Sequence, residues 1–178
     1  MRRNDPPNKE SLGACRALGR LAAPATVLFV LSCGSSGSVA VTATIASPDL
    51  VVDASSPLAA RLTGSFRLHL ELGKHAPAAT DVSVGQGNLT LQDATSQASL
   101  VLLKFSTTPS APYHLEPGGK LDVGFMIADK AESSGQLLTK DEEKAVCGAR
   151  AAAQIAGSIS DGGGLVSVNS TSFPIRCP

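Results

Sequence analysis

"SFRLHLEL", residues 65–72, decides the reading of this chain. Phe66, Leu68, Leu70 and Leu72 alternate with Arg67, His69 and Glu71. Successive strand side chains point to opposite faces, so this period of two predicts a strand with one dry side and one wet side. "VAVTATI" repeats the pattern, with Val39, Val41, Ala43 and Ile45 on one face, and so does "KLDVGFMIA", with Leu121, Val123, Phe125 and Ile127. "TDVSV" and "NLTLQ" are shorter strands that Gly85-Gln86-Gly87 would join tightly. "SLVLLKF", residues 99–105, reads as one buried strand. The predicted core is Phe66, Leu68, Leu70, Leu72, Val101, Leu103, Leu121, Val123 and Phe125.

Turn chemistry separates these runs. Pro117-Gly118 suits a type II turn, in which proline fixes φ and glycine accepts a positive φ. "SDGGG", residues 160–164, predicts a hairpin tip between "AAAQIAGSI" and "LVSV". Thr139 with Glu142 three residues on is a capping-box signature. The spacing predicts a short helical turn over 139–145, followed by a strand with Cys147, Ala149, Ala151, Ala153 and Ile155 on one face. A helix over 140–156 is the alternative. Many short strands bounded by Gly/Pro turns predict an all-β antiparallel sandwich spanning 39–178. "LEPGGKLDVGFMI" resembles the leucine–proline–glycine turn before a central strand in immunoglobulin-like modules of bacterial surface proteins, which implies that type of sandwich.

Composition narrows the function. The 178 residues carry 15 basic and 15 acidic side chains, unevenly placed. Residues 1–20 hold five basic and two acidic groups, net +3, whereas from Cys33 onward there are ten basic and thirteen acidic, net −3. No basic patch follows Cys33, so nucleic acid is not an expected partner. With no Trp, one Tyr and five Phe, the chain has few of the aromatic platforms that stack on bases and sugars.

The N-terminus reads as an export leader. A basic stretch precedes an apolar run, Leu21 to Leu31, that is shorter than the roughly 20 residues of a permanent span. The run ends at "VLSCGSSGS". Val30-Leu31-Ser32-Cys33 resembles the lipobox of bacterial lipoproteins. That resemblance implies a signal peptide over 1–32 and a diacylglycerol-modified Cys33 at the mature N-terminus. Residues 33–38 would then be a Gly/Ser tether to the membrane, since Gly and Ser resist local order. In that family, Gly34 rather than Asp after the cysteine implies the outer membrane of a Gram-negative envelope.

Removal of Cys15 with the leader and acylation of Cys33 would leave Cys147 and Cys177 in an oxidising compartment, where a disulfide is expected. A reactive thiol pair or metal site is the alternative, without a CxxC spacing or adjacent histidine to support it. His69, on an outward strand face, and His75 and His114, in loops, read as solvent-facing. No metal, cofactor or catalytic residue is expected. Gly85-Gln86-Gly87 lacks the third glycine of a nucleotide loop, because Thr90 stands there. Asp141-Glu142-Glu143 is contiguous rather than alternating, as a calcium loop would be. The sequons at Asn88 and Asn169 are incidental in a bacterial lipoprotein.

The expected function is a non-catalytic binding or structural module of the envelope, anchored to the membrane by lipid, with another envelope protein as its partner. The alternatives are a carrier of a small apolar ligand within the sandwich, and an enzyme whose site forms only on folding.

Overall fold

The computed structural model describes residues 41–56, 59–129 and 135–178. The leader, Cys33, the tether and Val39 lie outside them. The described chain forms β1 (Val41–Asp53), β2 (Arg61–Leu72), β3 (Thr80–Val82), β4 (Leu89–Asp93), β5 (Ser99–Leu102) and β6 (Phe105–Thr108). It continues with β7 (Tyr113–Leu115), β8 (Lys120–Ile127), β9 (Gln136–Leu137), α1 (Lys140–Gly148), β10 (Ala153–Ser160) and β11 (Leu165–Asn169).

One sheet runs β1-β2-β8-β6, with β9 also on β2, and a second runs β11-β10-β4-β5; β3 and β7 form a small ribbon. The named strand pairs are antiparallel. Side chains from both large sheets merge into one hydrophobic cluster. This is the antiparallel β-sandwich that the alternation predicts.

The decisive stretch behaves as read. Phe66, Leu68, Leu70 and Leu72 are buried, while Arg67, His69 and Glu71 are exposed. Val101, Leu103, Val123 and Phe125 are also core residues; Leu121 is only partly buried, at the margin of the cluster. Three of the few aromatics are grouped. Phe125 stacks on Phe66 at a centroid distance of 4.7 Å and meets Phe105 at 4.9 Å.

Both glycine-bearing turns form. The Gly119 amide donates to the Glu116 carbonyl at 2.7 Å with Gly118 at φ +78°, the geometry of a type II turn. Ser160 pairs with Leu165 across the 161–164 tip, where Asp161 N–H donates to the Gly164 carbonyl.

Three local expectations are corrected. "TDVSV" and "NLTLQ" are not a hairpin: β3 pairs with β7, whereas β4 pairs with β10 and β5. Residues 99–105 are not one strand. The chain leaves one sheet after Leu102 and enters the other at Phe105, so a continuous apolar run is shared between two layers. The helix reaches Gly148 and therefore contains Cys147, and the strand starts only at Ala153. Thr139 and Glu142 do form the capping box, and Asp141, Glu142 and Glu143 occupy the first turn, where acidic groups favour the positive end of the helix dipole. Good helix formers at Glu143, Lys144 and Ala145 carry the helix past the acidic turn. Ala149 to Ala152 then make the turn into β10, which leaves Ala151 exposed.

Candidate functional site

The long strand β1 defines two poles. Thirteen residues at about 3.3 Å each separate Val41 from Asp53 by roughly 40 Å. At the Val41 pole lie Leu72 and the Glu116–Gly119 turn, held by bonds between Leu72 and residues 118 and 119. At the Asp53 pole the C-terminal segment lies alongside β1 in parallel. Val52 N–H donates to the Arg176 carbonyl at 2.8 Å, and Arg176 N–H donates to Leu50 at 3.2 Å. The Arg176 guanidinium reaches Asp49 at 2.7 Å.

Cys147 and Cys177 are bonded at this pole, with Cα atoms 5.8 Å apart. The bond runs from the last turn of α1 to the C-terminal segment, not between two strands as the predicted alternation implied. A cleft of about 650 Å³ lies beside it, lined by residues 51–55, Thr63 and residues 176–178. Its walls are mainly aliphatic. Its polar side chains are Arg176, Thr63 (its hydroxyl donating to the Val51 carbonyl at 3.3 Å), Asp53 and Ser55. Asp53 accepts from Ser55 N–H at 2.9 Å, and that bond holds its carboxyl below the ordinary carboxylate range.

The histidines sit elsewhere and apart from one another. His69 projects from the outward face of β2, directly opposite Thr44 on β1 and Asp122 on β8. Its Nδ1 contacts the Asp122 carboxylate. Hydroxyl, imidazole and carboxylate in one row invite comparison with an acyl-transfer triad. Two requirements are not met here. No hydrogen bond joins Thr44 to His69, and the backbone N–H groups of these strands lie in the plane of the sheet instead of pointing outward as an oxyanion hole. The neighbouring pair, Lys120 with Glu71 at 3.0 Å, continues the row as cross-strand charge pairing.

His114 is not in a loop, as its proline-rich surroundings suggested, but in β7. It is solvent-facing there, like His69 and like His75 in the loop after β2. Its Nδ1 lies 2.8 Å from Asp81 and its Nε2 3.2 Å from Glu116. Hydrogen bonding to Asp81 first and to Glu116 second raises its pKa above the usual histidine value. Among the described residues, no group of three or more His, Cys, Asp or Glu side chains could hold a metal ion. No helix among them is long and apolar enough to cross a membrane.

Sequence reasoning missed the cleft and the cross-strand rows, because both depend on which strands become neighbours. No protein-family model, curated protein or solved structure matches the chain.

Proposed function

We propose that this chain is a lipid-anchored envelope lipoprotein whose sandwich is a non-catalytic module that presents its Asp53 pole to another envelope protein. The observation that carries the reading is the run of β1. The described domain begins at Val41, a few residues after Cys33, and the disulfide-braced cleft lies about 40 Å further on at the other end of that strand. A lipid on Cys33 would hold the Val41 pole toward the membrane and leave the cleft facing away. Two acyl chains suffice for stable attachment, at about 0.8 kcal/mol per buried methylene. The bond between Cys147 and Cys177 suits an oxidising compartment.

Metabolic labelling with an alkyne fatty acid tests this reading. The expected result is label and membrane association in the wild type, and neither in Cys33→Ser, with processing blocked by globomycin. Unlabelled, soluble wild-type protein would overturn it. Accessibility then tests the orientation. A cysteine-directed membrane-impermeant probe should reach Ala54→Cys faster than Gly118→Cys in intact vesicles displaying the protein.

A further inference from the structure

The outward face of the β1-β2-β8-β6 sheet contains a glycine that the fold does not require. Gly64 of β2 adopts φ +131°, and a Cβ there would lie 2.0 Å from the Asp49 carbonyl oxygen. Gly157 of β10 would place a Cβ 1.9 Å from the Asn88 carbonyl oxygen. Both glycines are therefore fixed by backbone packing. Gly124, midway along β8, is different. Its φ is not in the left-handed region, and an added Cβ would meet only the Thr108 carbonyl oxygen, at an ordinary 3.6 Å. Glycine weakens a strand interior, and where no bulge or bend explains it, it commonly marks the close approach of a ligand.

Removing the side chain at 124 leaves a notch of about 220 Å³. Gly124 pairs with Arg67 on one side and Thr108 on the other; one pleat along, Met126 pairs with Ser65 and Ser106. These residues line the notch together. The charges nearby on this face have partners: Glu71 is paired with Lys120, Asp122 is held by His69, and Asp49, the register partner of Ser65, is paired with Arg176. Among the described residues Arg67 has no ion-pair partner, and the hydroxyls of Ser65, Ser106 and Thr108 make no side-chain hydrogen bond. Met126 is 59% exposed, a large apolar group left at the rim. A guanidinium presents a fork matched to a planar carboxylate, and the surrounding hydroxyls can donate to its remaining lone pairs.

We propose that this notch is a binding site for an organic carboxylate with a short apolar tail. The carboxylate would lie against Arg67 over Gly124, and the tail would lie across Met126. The site shares no lining residue with the Asp53-pole cleft, although Ser65 of one and Thr63 of the other lie two residues apart on β2, and it does not depend on the lipid anchor.

Met126 also supplies the probe. Apart from Met1 it is the only methionine in the chain, so a ¹³C-methyl-methionine label on the full-length Cys33→Ser protein gives a readily assigned signal at the notch. Titration with hexanoate should shift that signal saturably, while 1-hexanol at equal concentration should not. Arg67→Gln should weaken hexanoate binding at least tenfold. Gly124→Val should abolish it while the thermal midpoint stays level or rises, because a β-branched residue suits an open strand position. Several results would overturn the proposal. They are hexanol matching hexanoate, Arg67→Gln binding normally, no saturable shift at all, or a fall in the Gly124→Val midpoint, which would make the glycine structural. Tighter binding of inorganic phosphate than of hexanoate would overturn the assignment to a carboxylate.

Discussion

Phe66 and Phe125 face one another across β2 and β8 as register partners, with rings 4.7 Å apart and 18° from parallel. Both are almost fully buried, and Phe105 from the neighbouring strand closes on Phe125. In a core built mostly from Val, Leu, Ile and Ala, with Tyr113 and Phe173 as its other aromatics, this trio supplies the largest volumes that the sheet places together. Phe125→Ala should cost about 3–5 kcal/mol, because the aliphatic neighbours cannot collapse into a ring-sized void. Phe125→Leu should cost markedly less. Urea unfolding of the two variants checks this, and equal losses would show that volume is not the operative quantity.

The disulfide ties the end of α1 to the C-terminal segment over 30 residues. On the chain-entropy argument, closing a loop of that size stabilises the fold by about 3–4 kcal/mol. Intact-mass spectrometry without reductant should find two hydrogens missing from the Cys147–Cys177 pair. A Cys147→Ser/Cys177→Ser double variant should unfold at lower denaturant, with early loss of protection at the Val52 amide that Arg176 holds. Protection at Val52 equal to wild type would show that the C-terminal segment docks without its staple.

His114 couples stability to pH. Both ring nitrogens meet carboxylates, which only the doubly protonated imidazolium can satisfy as a donor, and the folded state therefore holds its proton more tightly than the unfolded chain. A group with a raised folded pKa contributes fully below its unfolded value, near 6.5, and its contribution is lost as pH rises through the folded value. His114→Gln should flatten the stability profile across that window and leave it unchanged below pH 5 in shape. All three groups are exposed, so the effect is small and screened, and it should shrink in high salt. Chemical denaturation from pH 5 to 9 at two ionic strengths measures it.

The legible parts of this fold are those set by local pattern. Alternation in residues 65–72 and 120–127 fixed which side chains face inward, because a period of two leaves no freedom once one face is buried. The capping box at Thr139 and the Pro117-Gly118 turn were legible because each is closed by residues three apart. The length of α1 was not, since alanine-rich sequence after Cys147 satisfies a helix and an alternating strand equally. Neither was the crossing at residues 102–105, where an apolar run serves two sheets in succession. The carboxylate notch required knowing that Arg67, Gly124 and Thr108 become lateral neighbours, which is a matter of sheet order rather than of sequence spacing.

The crossing between sheets needs support that apolar residues cannot provide. Between β5 and β6 the backbone leaves one ladder before joining the other, and its polar groups must find partners. Backbone bonds serve two of them, Leu103 N–H donating to the Leu89 carbonyl and Ala128 N–H donating to the Lys104 carbonyl, and two glutamines supply others. Gln136, only 3% exposed, accepts from Lys104 N–H at 2.8 Å and donates to the Leu102 carbonyl at 2.8 Å. Gln86, in the loop that was read only as a turn, accepts from Phe105 N–H at 3.3 Å and donates to the Phe105 carbonyl. Each side chain thus acts as a short piece of strand placed across the gap. Gln136→Met keeps the bulk but leaves one donor and one acceptor unmatched, at roughly 1–3 kcal/mol for each buried group. A total loss of about 2–4 kcal/mol is expected, with accelerated hydrogen exchange at Lys104. Gln136→Glu should fall on the same side, because a carboxylate can accept from Lys104 but cannot donate to Leu102. Urea unfolding of both variants with amide exchange at Lys104 checks the argument: an unchanged exchange rate in Gln136→Met would mean that the crossing is held by its packing and not by the glutamine.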